Sequence, residues 1–434
     1  MPSDTDTNKK FFFAAFVLSV LLNASILIYS VAGQVPFGGA SGYGNIAGNL
    51  VTKGIYSSNG TNSTFARPPL YPLLLTIPRY LSDSDWHILA RAIQAGLSIG
   101  CALIIFKIVS RLTADGFKAL LAVILYTAHL TCQAEHFAQR ETVLFEFFLL
   151  LFVYVLTLSK FKTATAITSA IISAALYLTR PSGIIFLPIV VLLILVKSGP
   201  CEKLKLTLIS LAVFAACIFP WQLYNYKTFS KVTLSSSSTS GINMYIGASP
   251  VIQSVSPKLD IDSARFYLND YLKANDLRYW KQEYQVDAFL KEQSKKLIMQ
   301  NPVFFVKKMF KQLLLFYSPV PVPFGKGTAE LQGDRLEITN YKFNFGLLQL
   351  NHFVIAVILI LFGMFELFHI GDQGTRLWNF KVVSLLIFVF ITLLHMITFA
   401  ETRFRLPLDG LLCAAAAIFF GNVKNKMNHE AHEG

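Results

Sequence analysis

From Phe11 to Ser30 the chain runs through twenty residues without one charged side chain. A helix needs about that many apolar residues to cross some 30 Å of hydrocarbon. Comparable runs recur along the chain, which is 54% hydrophobic and only 15% charged, too little charge for the surface of a soluble protein of this size. The expectation is an all-α polytopic membrane protein. The first run follows "NKK" and offers no small-residue cleavage site of signal-peptide type, so it is read as an uncleaved helix. Further spans are expected at 87–108, 116–133, 142–159, 163–179, 183–197, 205–221, 346–369, 382–400 and 406–421, ten in all.

Orientation follows from basic residues. With the N-terminus in the cytoplasm, Lys9, Lys10, Lys107, Arg111, Lys118, Lys160, Lys162, Lys197, Lys203, Lys205, Arg376, Lys381, Lys424 and Lys426 all fall on the inner side, as positive loops require. These residues and interfacial lysines account for most of the formal charge of +13, so no nucleic-acid partner is indicated. The segment 301–317 is apolar but carries Lys307, Lys308 and Lys311. Three charges in hydrocarbon would cost about 2.5–3.5 kcal/mol each, and an eleventh span would reverse the side of everything after it. It is read as an amphipathic helix on the outer interface.

This divides the chain into an N-terminal transmembrane core, 1–223, with a first outer loop at 31–86; an extracytoplasmic region, 224–345, with the interfacial helix; and C-terminal spans with a short cytoplasmic tail, 346–434. The first outer loop, with "YGNIAGNLV" and the proline-rich "RPPLYP", is expected to form helices along the membrane surface. The five cysteines show neither CxxC spacing nor a His/Cys zinc pattern, so no metal ligands and no disulfides are assigned.

Polar chemistry gathers on the expected outer side. Arg67 stands in "ARPPLYP", Glu135, His136, Arg140 and Glu141 in "AEHFAQRETVLFEFF", Arg180 in "LTRPSG", and Glu401, Arg403 and Arg405 in "ETRFRLPL". Guanidinium groups in such a setting suit phosphate.

The ordered series "SGYGNIAGNLVTKGIYS", "RPPLYPLLL", "RETVLFEFFLLLFVYVL", "YLTRPSGIIFLPIVVLL", "FPWQLYNYKTFSKV" and "ETRFRLPLDGLL" resembles the bacterial GT-C glycosyltransferases, in the branch of the protein O-mannosyltransferases and aminoarabinose transferases. The resemblance implies a cytoplasmic (inner) membrane enzyme with its site facing outward. Such an enzyme takes a sugar from a polyprenyl-phosphate carrier, among membrane lipids, and passes it with inversion to an extracytoplasmic glycan, lipid or protein. No cofactor is identified, and the chemistry admits a divalent metal.

In relatives resembling this chain, an Asp precedes the tyrosine of the first loop by four residues. Here that position is Gly39, and no acid occurs between Gly33 and Leu81. A general base is needed to deprotonate the acceptor, and cations to stabilise the departing phosphate. Glu141, matching the family's second acid, and Glu135 are the base candidates, with His136 as base or phosphate contact. Arg67, Arg140, Arg180, Arg403 and Arg405 are the substrate-binding candidates, with Tyr43 beside them, although packing also accounts for Tyr43. Glu146, a turn inside its span, is expected to pair internally. The departure at Gly39 leaves a second reading open, a non-catalytic polyprenyl-lipid binding or transport protein of the same fold.

Overall fold

The computed structural model describes residues 4–33, 42–138, 140–158, 161–233, 235–279, 281–332, 335–344, 346–369 and 375–433; Gly39 lies outside them. Every span expected from sequence is helical: α1 (Asp4–Ala32), α4 (Trp86–Thr113), α5 (Gly116–Ala128) with α6 (Leu130–His136), α7 (Thr142–Leu158), α8 (Thr163–Thr179), α9 (Phe186–Lys197), α10 (Pro200–Phe229), α16 (Leu347–Ile358) with α17 (Met364–Phe368), α18 (Thr375–Ile397) and α19 (Thr402–Glu433). Among the described residues six helices, counting α16–α17 as one, are long and apolar enough to cross a membrane. The bent pair α5–α6 makes a seventh, and three shorter apolar helices accompany them over 142–157, 163–179 and 181–197. Their outward faces explain the composition. Phe13, Leu21, Ile28, Leu204, Leu208, Leu347, Leu361 and Phe365 are all exposed, as lipid-facing side chains are.

The loops at one end of the bundle contain helices of their own. The first contains α2 (Tyr43–Lys53) and α3 (Leu70–Leu81). On α3, Leu73, Ile77 and Tyr80 stand exposed along one face while Tyr71 and Leu75 are buried, the pattern of a helix lying on an apolar interface. The long region after α10 contains α11 (Ser240–Ala248), α12 (Pro250–Gln253), α13 (Arg265–Ala274), α14 (Glu283–Gln300) and α15 (Pro302–Phe316). A hairpin of β1 (Gly325–Gln332) and β2 (Arg335–Phe343) follows, paired antiparallel, the one sheet among the described residues. Ile242, Tyr245, Ile252, Leu268, Val286 and Leu290 form its own apolar core.

The polar run at 235–240 is a tie between these regions. Ser236, Ser237 and Ser238 are buried. Glu283 collects Ser238 together with the Thr64 hydroxyl and the Phe65 amide of the first loop, and Tyr224 donates to the carbonyls of Tyr56 and Thr64.

α15 explains how an apolar helix accommodates three lysines. Val303, Val306, Phe310 and Leu314 form an exposed stripe. On the opposite face Lys308 donates to the carbonyls of Met396, Ile397 and Thr398 at 2.9, 2.7 and 3.0 Å, capping the end of α18. Lys311 donates to the Ser256 carbonyl. The lysines with inward heads are therefore helix-end and loop clamps, and only Lys307 is exposed.

The third span is not straight. It bends by 69° at His129, with neither Gly nor Pro nearby. Asn351 of α16 replaces the lost helical bonds: its amide donates to the Ala128 carbonyl at 2.9 Å and its oxygen accepts from the Leu130 amide at 3.0 Å. Backbone groups freed inside a bilayer need such a substitute.

Candidate functional site

The bend aims α6 across the mouth of the bundle and sets Glu135 beside the start of α7. Arg140 donates to Glu135 Oε1 at 3.1 Å, and Thr142 Oγ1 donates to the same oxygen at 3.2 Å. Arg180 follows α8 in extended conformation, held there by the proline after it. Its Nε meets Glu141 Oε1 at 2.7 Å, and its Nη2 donates to Thr142 Oγ1 at 2.9 Å. From α2, Tyr43 hydrogen-bonds to Glu141, and the Arg67 guanidinium lies 5.4 Å from the centroid of the Tyr43 ring. Arg67, Tyr43, Glu141, Arg180, Thr142, Glu135 and Arg140 thus form one continuous network drawn from four separate stretches of chain.

Arg403 borders this network. It pairs with Glu401 at 2.7 Å, and its field includes Asp260, Asp262 and Glu135. Arg403 Nε is buried and has no hydrogen-bond partner among the described residues. Asp262 also faces Arg67. The turn at 260–264 therefore overhangs the network, and the acids Asp260, Asp262 and Glu401 belong to the same electrostatic neighbourhood. Asp260 and Asp262 escape a motif-based reading because they stand far from Glu141 in sequence, and Glu401, although it stands in "ETRFRLPL", carries no assigned role there.

Burial pushes the Glu141 carboxyl up, but Arg180, the Tyr43 hydroxyl and Arg67 outweigh it and hold the group below the usual carboxylate range. Glu141 is therefore ionised throughout the neutral range. Glu401 is the opposite case. Burial carries its carboxyl up to about 7, Asp260 and Asp262 add to the rise, and Arg403 pulls the other way. Among the acids at this end of the bundle, Glu141 is held as a carboxylate and Glu401 is poised near neutrality, with Arg67, Arg140, Arg180 and Arg403 around them.

Two expected site residues lie elsewhere. His136 is wholly buried, with Nε2 at 2.8 Å from Glu146 Oε2 and Nδ1 at 3.1 Å from Ser98 Oγ. It sits below the mouth, as Glu135 and His136 are one residue apart on a helix and point about 100° from each other. Arg405 is also buried. It pairs with Asp409 at 3.2 Å, donates to the Phe316 and Ser318 carbonyls, and faces His352 Nε2 at 3.3 Å. All of its contacts are internal, so the geometry gives it a bundle-locking place and not that of a lipid-phosphate contact. A separate cavity of about 1020 Å³ is lined by Asn62, Lys231, Lys281, Glu283 and Tyr284, with none of the network residues.

No protein-family model matches the sequence, and no curated protein does. The fold, however, has solved counterparts. The archaeal oligosaccharyltransferase AglB from Archaeoglobus fulgidus, in complex with an inhibitory peptide and a dolichol-phosphate, aligns over 98% of this chain and 51% of its own, with 14% identity and a TM-score of 0.53. The Archaeoglobus fulgidus oligosaccharyltransferase tethered with an acceptor peptide containing the NVT sequon aligns over 97% and 50%, with 14% identity and a TM-score of 0.50. ArnT from Cupriavidus metallidurans bound to undecaprenyl phosphate aligns over 93% and 77% at 12% identity, with a TM-score of 0.39, too low to carry an argument. The chain spans about half the length of the oligosaccharyltransferases it matches. The two oligosaccharyltransferase likenesses show a shared helical membrane fold.

Proposed function

We propose that the protein is a membrane glycosyltransferase that moves a sugar from a polyprenyl-phosphate donor to an extracytoplasmic acceptor with inversion. The observation that carries this reading is the convergence of Arg67, Arg140, Arg180 and Arg403 with Glu135 and Glu141 at one end of an apolar bundle. A lipid-linked phosphate delivers its headgroup to such a place without leaving the membrane. Arginine forks match its oxygens, and the likeness in fold to an oligosaccharyltransferase solved with a dolichol-phosphate supports the same donor class. In this reading Glu141 or Glu135 receives the proton of the acceptor as its oxygen or nitrogen attacks the anomeric carbon. The phosphate leaves from the opposite face, its developing charge met by Arg180 and Arg403. A single displacement of this kind inverts the anomeric centre. Incubating the purified protein in detergent with labelled polyprenyl-phosphate sugars tests it directly: sugar transfer or release supports the reading, while lipid binding with no turnover replaces it with the non-catalytic alternative suggested by Gly39.

The site end is proposed to face away from the cytoplasm, at the inner membrane. Positive loops at the other end support this. Labelling of a single cysteine at Lys307, exposed on α15, is expected from the outside of intact cells. Labelling only after permeabilisation would reverse the orientation.

The Glu401–Arg403 pair predicts a pH dependence. Glu401 has a carboxyl raised from its ordinary 4.5 to about 7, so the stability it contributes is fully present below the ordinary value and is lost as pH rises through about 7. Over the same interval it becomes a carboxylate and engages Arg403 more strongly. A phosphodiester-linked donor keeps its own charge across that range, so its affinity should rise as pH falls from about 8 to about 6. Glu401→Gln should remove most of this dependence. Equal slopes for the two proteins would show that Arg403 is not the group being released.

A further inference from the structure

Beneath the mouth, and separate from the network above it, three side chains of different chemistry converge. Cys132 and His136 stand one turn apart on α6, and Glu146 stands one turn into α7; all three are wholly buried. One ligand atom from each lies within 4.8 Å of the others. The separations are 2.8 Å for His136 Nε2 to Glu146 Oε2, 3.5 Å for Cys132 Sγ to His136 Nε2, and 3.9 Å for Cys132 Sγ to Glu146 Oε2. We infer that Cys132, His136 and Glu146 form a binding site for a divalent, thiolate-preferring metal ion, with zinc as the best match.

The protonation pattern points the same way. Gln133 donates its amide to the Tyr126 carbonyl at 2.9 Å, which leaves its oxygen facing Ser98, and the Ser98 hydroxyl donates to that oxygen at 3.1 Å. Ser98 Oγ then has only lone pairs to offer His136 Nδ1. Nδ1 must carry the proton, so a neutral His136 turns the lone pair of Nε2 toward Glu146 and Cys132. A lone pair and a carboxylate oxygen 2.8 Å apart need a cation between them, either a proton or a metal. The Gln133–Ser98–His136 relay is also the supporting shell that fixes the tautomer of a ligating histidine.

Geometry and charge favour the metal. With bonds of about 2.3 Å to sulfur and about 2.0–2.1 Å to nitrogen and oxygen, a tetrahedral zinc site places its ligand atoms roughly 3.3–3.6 Å apart. The two sulfur edges are already near that, and the nitrogen–oxygen edge has to open by about half an ångström. Zinc binding would release two protons, one from the Cys132 thiol and one from the His136–Glu146 pair. A thiolate and a carboxylate then cancel the two charges of the ion, as a buried site of low polarity demands. Gly410 stands directly beside the site, where a side-chain carbon would come 3.0 Å from Glu146 Oε1, so a methyl there would crowd the carboxylate. The ion would pin the bent α6 to α7 and fix the residue next to His136, Glu135, at the mouth above. The site does not depend on the transferase reading.

The test uses the full chain in detergent, purified through a tag without histidines, exposed to zinc and then washed. About one zinc per chain is expected by elemental analysis, falling to less than about one fifth of that in Cys132→Ala and in His136→Gln. Cobalt substituted for zinc should show a thiolate-to-metal absorption band that Cys132→Ala abolishes. Should the variants fail to fold, the native protein still decides. A folded native protein that takes up neither zinc nor cobalt overturns the inference in favour of a shared proton, and stoichiometric metal that survives in a folded Cys132→Ala places the ion elsewhere.

Discussion

Glu141→Gln is expected to slow sugar transfer by about 10²- to 10⁴-fold, the usual loss on removing a general base, while donor affinity stays equal or improves. The split follows from the partners. Glu141 is the carboxylate that Arg180 and Tyr43 hold ionised, so its loss removes a proton acceptor and at the same time leaves the Arg180 guanidinium freer to take a phosphate. Glu135→Gln is the comparison. Its carboxylate is bound by Arg140 and Thr142, on the other side of Thr142 from Arg180, and it is the second candidate for the same proton. Steady-state rates with a labelled polyprenyl-phosphate sugar separate the two. A loss of rate in Glu141→Gln with unchanged half-saturation identifies Glu141 as the base. Full activity in both variants would remove both from that role and move attention to Glu401 and the overhanging Asp260 and Asp262.

The helical scaffold was legible because span length is a one-dimensional property. An uncharged apolar run either reaches across hydrocarbon or does not, and every span expected from such runs is helical. The break at His129 was not legible, because the group that satisfies its freed backbone, Asn351, lies more than two hundred residues away. The network was partly legible. Glu141, Arg180, Arg67 and Tyr43 do meet, but nothing local says that Glu283 and a buried serine run tie the first loop over them. The misplaced residues share one cause. Glu135 and His136, and likewise Arg403 and Arg405, were treated as neighbours on one surface, whereas helical neighbours face different ways. Arg403 reaches the site while Arg405, two positions on and about 200° round the axis, enters the core. The proposed cluster of Cys132, His136 and Glu146 is not legible for the converse reason: Cys132 and His136, four residues apart, share a face, but the third group, Glu146, comes from the next helix.

That difference sets an expected result for Arg405. Asp409 is as fully buried as its partner and also lies 3.6 Å from His129 Nδ1, so Arg405→Ala would strand a carboxylate among apolar helices and release the Phe316 and Ser318 carbonyls that the guanidinium now holds. Removing one member of a buried ion pair costs about 3–5 kcal/mol, whereas replacing both members with apolar residues of similar volume is often neutral. Thermal unfolding in detergent should therefore show a large loss of stability in Arg405→Ala and recovery of most of it in the double variant Arg405→Met, Asp409→Leu. In the fraction of Arg405→Ala that remains folded, half-saturation for the lipid donor should be unchanged, since the side chain is turned away from the mouth. Arg403→Ala should behave in the opposite way, costing less stability than Arg405→Ala and weakening the donor, because its guanidinium is partly exposed and its partner Glu401 can take up a proton near neutrality. If Arg405→Ala is stable and binds the donor poorly, the lipid phosphate reaches deeper than the network at the mouth, and the Arg405–Asp409 pair must open to receive it.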